Sequence, residues 1–459
     1  MADVERAAVL SLDPEPPRQE PGRFSHLLFP ERFRDRFRTG IIWNFLGAAS
    51  SFGTTFAVNV IVAKMLGREA FGQFTIVQNT LVTFCGLASL SMGLAATKYV
   101  AQFRVSDPGK AGRILGLCSL VSAAAAAAVS LALITLAPWI AASQLKTPNL
   151  AFSLRMGAAF LFFTALNGYQ TGALAGLERY RTAGIAGLLS GVAGLAICAF
   201  SLRLWAIDGA FIGLSVSALI RYLLCRFFLR SACADAGIEY TYRGLAPLRP
   251  ILFRFAIPAA ISGYFTLPMF WLANLILFRQ PDGVASMALY GAAASIRVMV
   301  LFLPSIVNSV GLSILNHTRG AGDMPGFVRL YWNNILAVVA SVLVVAAPIA
   351  LFGKTILILF GKDFQHAYPV ILVLLLSAIP EALSMSLFQI IQAEERMWFG
   401  FFGVIVPREI ALVALAYLLT PSLGATGLAI SYGVAWTLAA IIIFAAGFRP
   451  WKGADAAAP

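Results

Sequence analysis

Long apolar stretches, separated by short polar segments, run through almost the whole chain. A run of about 20 apolar residues is enough for a helix to cross the hydrocarbon core of a bilayer. The pattern therefore predicts an all-α, polytopic membrane protein with about twelve spans. The first six cover 41–63, 72–97, 114–142, 151–177, 183–204 and 207–229, and the next six cover 251–278, 284–312, 328–352, 366–393, 397–419 and 423–447.

The twelve spans fall into two copies of six. Glu178-Arg179 after the fourth span and Glu395-Arg396 after the tenth lie 217 residues apart. Phe71-Gly72 and Tyr290-Gly291 lie 219 residues apart, almost in the same register. Chance likeness between apolar helices is the alternative. Because each copy has an even number of spans, both copies start on the same side of the membrane, and an axis along the membrane normal relates them.

The repeat predicts two pseudo-symmetric six-helix lobes that face each other across a central cavity. The predicted segments are a basic cytoplasmic tail (1–40), an N-terminal lobe (41–229), a cytoplasmic linker (230–250), a C-terminal lobe (251–448) and a second cytoplasmic tail (449–459). Within the first tail, residues 24–38 combine phenylalanine with arginine, a pattern typical of a helix on an anionic leaflet. A disordered basic tail is the alternative.

Composition and charge support a membrane protein. Hydrophobic residues make up 59% of the chain and charged residues 12%, whereas soluble domains average about 45–50% and about 25%. The net charge of +13 does not indicate nucleic acid binding, because the lysines and arginines lie beside the spans. With a cytoplasmic N-terminus, the cytoplasmic segments carry 23 of these residues and the opposite loops carry seven. The positive-inside rule therefore places both termini in the cytoplasm.

The chain lacks the sequence patterns of a metal site, a disulfide framework or a nucleotide-driven pump. Its five cysteines include no C-x-x-C pair, and its three histidines are far apart. It has no G-x-x-x-x-G-K-S/T motif for nucleotide phosphates. We therefore expect no metal and no cofactor, and we expect the direction of any transport to come from an ion gradient or from consumption of the product.

Three short motifs resemble bacterial polysaccharide flippases, the O-antigen and exopolysaccharide translocases of the multidrug/oligosaccharidyl-lipid/polysaccharide superfamily. They are Trp43-Asn44-Phe45, the segment AKMLGREAFG over 63–72, and Gly176-Leu177-Glu178-Arg179-Tyr180. The likeness covers about residues 38–448. It implies a protein of the bacterial inner membrane that moves undecaprenyl-diphosphate-linked oligosaccharide by alternating access. A glycan polymerase or other polysaccharide assembly proteins are the implied partners, beside membrane lipid.

Charged side chains deep in a span cost about 2.5–3.5 kcal/mol on insertion scales, so each requires a partner or a function. Arg297, midway along the eighth span, is the first candidate ligand for the substrate phosphate, since arginine binds phosphate through two parallel hydrogen bonds. A buried pair with a carboxylate is the alternative. Arg408 and Arg155 are further candidates. Arg155 and Arg221 rank lower, because both lie nearer predicted span ends, where arginine can snorkel.

The deep carboxylates and amides have two interpretations each. Glu381 and Glu409 form either a local ion network with the arginine beside Glu409 or a proton or cation site that sets the direction of the cycle. Asn59, Asn79 and Asn274 suit the hydroxyls of a sugar, and they equally suit hydrogen bonds between helices.

Prolines within the spans are concentrated in the second copy. Each proline removes a helical hydrogen bond and permits a kink. Pro258, Pro268 and Pro304 therefore predict that spans seven and eight bend most during the cycle. A static kink is the alternative.

Three rival functions are less well supported. A cation-coupled multidrug exporter of the same superfamily is expected to carry acidic groups in an early span of the first lobe, and the early spans contain none. A membrane enzyme such as a glycan polymerase usually needs a large outer loop with acid and base residues, which this chain lacks. We therefore expect no enzyme activity. An ion channel would show a charged ring or a re-entrant loop.

Overall fold

The chain is helical almost throughout in a computed structural model that describes residues 31–248, 257–320, 324–393 and 396–447. Two units are distinguished, Met1–Ile42 and Trp43–Pro459. In the first unit the residues from Glu31 onward are helical. The start of the predicted surface helix over 24–38 lies outside the described residues.

The helices follow one another without strands in the described chain. They are α1 Glu31–Ser89, α2 Met92–Phe103, α3 Pro108–Trp139, α4 Leu150–Gly176, α5 Tyr180–Asp235, α6 Ile257–Phe278, α7 Gly283–Gly320, α8 Met324–Leu357, α9 Tyr368–Ala393, α10 Met397–Phe399 and α11 Val406–Gly447. A π-turn over Ile140–Gln144 extends α3, and another over Gly400–Ile405 joins α10 to α11.

The helices contain twelve membrane crossings. Eight stretches of the described chain are long and apolar enough to cross a membrane, and the shorter apolar helix Tyr264–Phe278 adds a ninth. Three of the eight have 55, 56 and 50 residues, enough for two crossings each. They reverse direction at Gly67, at Trp205 and Ala206, and at Gly424. Six crossings lie in α1–α5, the N-terminal lobe, and six in α6–α11, the C-terminal lobe, which confirms the predicted fold; the residue limits of the lobes and linker stay predictions.

Glycine supplies two of the three reversals. Gly67 and Gly424 have φ angles of 81° and 54°, a left-handed conformation that costs glycine nothing sterically. At the third reversal Ala206 adopts a φ of 47°. Because alternate connections of a polytopic chain lie on the same side, one face of the bundle carries all three reversals, and we call it the hairpin face. Its other connections are residues 140–149, 279–282 and 358–367.

The second span contains a break that the sequence pattern did not predict. Between α1 and α2, Leu90 and Ser91 adopt φ angles of 46° and 53°, so the predicted continuous span over 72–97 is wrong at this point. Tyr264 of α6 donates its hydroxyl to the Leu87 carbonyl at 3.1 Å. A neighbouring helix thus pairs a carbonyl near the break, as backbone at membrane depth requires.

Aromatic side chains join the two lobes at the hairpin face. Phe71 is 1% exposed, and its ring centroid lies 6.0 Å from that of Phe360 and 5.6 Å from that of Phe364. Deeper in the bundle, the Trp271 indole donates to Thr80 Oγ1 at 2.9 Å. These contacts bury apolar surface between the lobes and hold them together on this side.

A polar latch lies at the rim of the same face. Arg279, between α6 and α7, donates to the Ser143 and Gln144 carbonyls, at 2.8 Å each. It also donates to Gln144 Oε1 at 2.9 Å. The latch ties the C-terminal lobe to the π-turn that ends α3 in the N-terminal lobe.

Candidate functional site

A buried ion pair in the C-terminal lobe connects three helices. Arg297 of α7 donates through Nη1 to Glu381 Oε2 of α9 at 2.5 Å and to the Tyr432 hydroxyl of α11 at 2.9 Å. The Tyr432 hydroxyl donates in turn to Glu381 Oε1 at 2.7 Å. All three residues are less than 10% exposed. Glu381 therefore neutralises Arg297 in this structure, and the role of Arg297 as a phosphate ligand stays a prediction.

Burial makes this cluster costly to break. Removing one member of a buried ion pair typically costs about 3–5 kcal/mol, because the partner charge is left without compensation. The cluster therefore fixes α7, α9 and α11 relative to one another. It is also a place where a change in the charge of Glu381 would release the guanidinium of Arg297.

Arg408 and its neighbour Glu409 form a second ion pair, near the start of α11. The side chain of Glu409 is 3% exposed and that of Arg408 is 11% exposed. The guanidinium carbon of Arg408 lies 4.1 Å from the ring centroid of Trp436. The rings of Trp436 and Tyr432 lie 6.1 Å apart, so an aromatic contact lies between the two ion pairs. Glu381 pairs with Arg297 rather than with Arg408.

A cavity of about 290 Å³ lies inside the N-terminal lobe, between α1, α4 and α5. Its lining residues include no acidic side chain. The polar ones that matter here are Thr54, Gln78, Thr164, Asn167, Ser217 and Arg221. The cavity is therefore rich in hydroxyl and amide groups and carries one positive charge.

Arg221 is the cation of this cavity; the sequence analysis ranked it below Arg297, and its role as a ligand stays a prediction. Among the described residues it has no carboxylate partner, and its Nε atom is buried without a hydrogen-bond partner. The span was predicted to end at 229, but α5 continues to Asp235, about 21 Å beyond Arg221 at 1.5 Å per residue. Arg221 therefore lies farther from the end of its helix than the predicted span implied. A polar face of α5, with Ser217 and Arg221 at i and i+4, was the available signal.

Arg155 lies apart from these charges. It is exposed on α4, five residues after that helix begins, and its role as a substrate ligand stays a prediction. Two residues earlier, Ser153 donates its hydroxyl to Asp208 at 2.5 Å. Asp208 is a carboxylate of the N-terminal lobe, two residues past the reversal at Ala206 and outside the cavity lining.

The three candidate sugar contacts have different surroundings. Asn59 donates through Nδ2 to Ser295 Oγ at 2.8 Å, between the lobes. Asn274 is fully buried and donates to the Phe270 carbonyl of its own helix at 2.7 Å. Asn79 is half-buried. Two of the three thus make hydrogen bonds within the bundle, and their contacts with sugar stay predictions.

The predicted hinge prolines lie in unbroken helices where they are described. Helix α6 runs through Pro268, and α7 runs through Pro304. The side chain of Pro258 lies outside the described part of the chain. Whether these helices bend during a cycle stays a prediction.

Comparison with known proteins agrees with this architecture. Residues 37–312 match a family described as polysaccharide biosynthesis protein. The chain is 22% identical over 403 residues to the EPS I polysaccharide export inner membrane protein EpsE of Ralstonia nicotianae, covering 85% of this chain and 88% of that protein. The polysaccharide resemblance found in the sequence is thereby confirmed.

Solved structures with the same fold are transporters of the MOP superfamily. The inward-facing structure of a multidrug resistance MATE family transporter superposes with a TM-score of 0.78 at 16% identity, covering 91% of this chain and 100% of that one. The outward-facing structure of such a transporter gives 0.62 at 19% identity, with coverage of 93% and 97%. A MOP superfamily transporter from Pyrococcus furiosus, described as having a binding pocket of reverse polarity, gives 0.68 at 18% identity, with coverage of 91% and 95%.

Proposed function

The chain belongs to the polysaccharide biosynthesis protein family, and on that premise we propose that it is a flippase for lipid-linked oligosaccharide. In this proposal its two lobes move an undecaprenyl-diphosphate-linked oligosaccharide from the inner to the outer leaflet of the bacterial inner membrane. The observation that carries the proposal is the likeness to a polysaccharide export inner membrane protein over most of both chains.

The packing of the lobes supports alternating access. The rings of Phe71, Phe360 and Phe364 and the hydrogen bonds of Arg279 join the lobes at the hairpin face. With both termini in the cytoplasm, as the lysine and arginine distribution predicts, the hairpin face is the outer face. The structure then represents an inward-facing state. A transporter of this type needs a second state, in which these contacts open and contacts at the opposite face form.

The ion pairs of the C-terminal lobe support a role in coupling. Phosphate oxygens accept the same charge-assisted hydrogen bonds from arginine that carboxylate oxygens accept. In the proposed cycle, protonation of Glu381 or Glu409, or cation binding there, frees Arg297 or Arg408 to contact the anionic substrate in one of the two states. The ion gradient then sets the direction, together with a polymerase that consumes the product on the far side. No bond of the substrate is made or broken by the chain.

The first test is the fate of lipid-linked oligosaccharide in cells that lack this protein. We expect it to accumulate at the inner leaflet, and wild-type protein to reverse the accumulation. Arg297→Ala is expected to fail, and Arg297→Lys to rescue in part if charge matters more than the forked geometry of the guanidinium. Arg226→Ala is the matched control, because Arg226 is an exposed residue of α5 that donates to the Tyr222 hydroxyl at 2.8 Å.

The same experiment separates the flippase from a cation-coupled multidrug exporter, the alternative within the superfamily. The fold shared with a multidrug resistance MATE family transporter is the feature that favours the exporter. If null cells accumulate no lipid-linked oligosaccharide and become sensitive to cationic drugs instead, the flippase proposal is wrong.

A further inference from the structure

We propose that the cavity of the N-terminal lobe is an anion-binding subsite, in which Arg221 holds the oxyanion of a saccharide whose hydroxyls contact the surrounding side chains. The oxyanion is a phosphate or a sugar carboxylate. The inference rests on the proposed function and locates the charged end of the substrate outside the ion pairs of the C-terminal lobe.

Charge is the first argument. Within the described spans, Arg297 and Arg408 each have a carboxylate partner, whereas Arg221 has none. No acidic residue lines the cavity. Arg221 is half-buried, and a cation without a counter-charge within a membrane span is costly, so it needs a partner from elsewhere. An anionic ligand supplies that charge, and an organic cation would be repelled.

The second argument is the complementarity of donors and acceptors. Asn167 donates through Nδ2 to the Ala218 carbonyl at 3.1 Å, which fixes the amide, and its Oδ1 is buried without a hydrogen-bond partner. Ser217 donates to the Ser190 carbonyl at 3.0 Å, so its oxygen remains as an acceptor. The cavity thus offers a guanidinium that donates and oxygens that accept.

A ligand that pairs with both the guanidinium of Arg221 and the acceptor oxygens of the cavity must carry an oxyanion and hydroxyl groups on one molecule. An anion without hydroxyl groups would leave Asn167 Oδ1 without a donor, and a neutral sugar would leave Arg221 without a counter-charge. Arginine also favours this ligand because its planar fork matches the oxygens of phosphate or carboxylate.

Size limits the ligand further. The volume of about 290 Å³ is at the lower end of the range for ligand cavities, about 300–1,000 Å³. The cavity is partly open, so it has room for a single charged sugar unit, and the rest of an oligosaccharide would lie outside it.

Binding to the purified full-length protein tests the subsite. The probes are glucose 1-phosphate, glucuronate, glucose and inorganic phosphate, measured by titration calorimetry in detergent. We expect glucose 1-phosphate, glucuronate or both to bind about tenfold or more tightly than glucose and inorganic phosphate, since a charge-assisted hydrogen bond is added to the hydroxyl contacts. The two charged probes distinguish phosphate from carboxylate.

Two variants and a control make the assignment specific. Arg221→Gln is expected to weaken the charged sugar by about tenfold or more, and Arg226→Gln, one turn further along α5, is expected to bind as wild type does. Thr164→Val keeps the side-chain shape and is expected to weaken the charged sugar without affecting inorganic phosphate. It remains informative if Arg221→Gln does not fold.

The proposal is overturned if glucose binds as tightly as both charged sugars, if no probe binds, or if a folded Arg221→Gln binds as wild type does. In null cells, full rescue by Arg221→Gln would also overturn it while leaving the flippase intact. If null cells accumulate no lipid-linked oligosaccharide, the flippase fails, and the binding measurements alone decide the subsite.

Discussion

Gly72 lies so close to α7 that a β-carbon on it would stand 2.0 Å from the carbonyl oxygen of Val284. Its counterpart in the repeat, Gly291, faces the side chain of Thr75, which a β-carbon would meet at 2.7 Å. The two glycines that mark the repeat therefore lie where the second and eighth spans cross between the lobes. Only the contact of Gly72 involves a backbone oxygen that no side-chain rotation can move.

We expect Gly72→Ala to open the hairpin face or destabilise this state by about 1–3 kcal/mol, the usual cost of overpacking. Spin labels at the exposed positions Asn149 and Asp282 would report the distance between the lobes, in a background that lacks the native cysteines. The distance should lengthen in Gly72→Ala and stay constant in Gly53→Ala, since a β-carbon at Gly53 meets no atom within 4 Å. Equal distances in both variants would show that the crossing can absorb a methyl group.

The Arg297–Glu381 pair predicts strong coupling between two substitutions. Arg297→Met or Glu381→Leu alone is expected to lower the free energy of unfolding by about 3–5 kcal/mol, because each leaves a buried charge without its partner. The double variant should lose clearly less than the sum of the two. Thermal unfolding of the wild type, the two single variants and the double variant in one detergent provides the double-mutant cycle. Additive losses would mean that the two side chains act independently.

At the break between α1 and α2, substitution by glycine is expected to stabilise the protein. Ser91 has a φ of 53°, and the left-handed region costs a residue with a β-carbon about 1–2 kcal/mol. Ser91→Gly is therefore expected to raise the melting temperature. Ser89→Gly is the matched control, and since Ser89 ends a helix, it should lose up to about 1 kcal/mol. A lower melting temperature for Ser91→Gly would show that the serine side chain stabilises the break.

The linker between the lobes packs on α3. A β-carbon at Gly116 would lie 2.0 Å from the Thr241 carbonyl oxygen, and the Tyr240 hydroxyl donates to the Leu115 carbonyl at 3.1 Å. Burial raises the pKa of Tyr240. The hydroxyl is therefore a donor at every pH below the ordinary tyrosine pKa of about 10, and its contribution is lost as the pH rises further.

Arg243 of the linker is exposed, but trypsin needs the backbone around it to loosen. Gly116→Ala should push the linker from α3 and speed cleavage at Arg243 about tenfold for a loss of about 1.4 kcal/mol. Gly109→Ala is the control, because a β-carbon there meets only Asp107 Oδ1, at 3.6 Å. Electrophoresis of timed digests would measure both rates. Unchanged cleavage in Gly116→Ala would mean that the linker finds another path across α3.

The pattern of apolar residues predicts the spans and two of the three points where a long helix turns back. The predicted gap between 204 and 207 coincides with the reversal at Trp205 and Ala206, and the gap between 63 and 72 contains Gly67. Hydrocarbon admits only segments that satisfy their own backbone and carry few charges, so the pattern of apolar residues is a local and sufficient signal. The repeat follows from the same pattern.

Which polar groups meet depends on how the helices pack against one another. Arg297 and Glu381 are 84 residues apart in the chain, and the residues around Arg297 do not indicate that it pairs with a carboxylate. The break at Leu90 and Ser91 likewise depends on Tyr264 from another helix. A charge or an unpaired carbonyl in a membrane is satisfied by whichever neighbour packs against it, and that neighbour is set by the arrangement of helices rather than by the sequence around the residue.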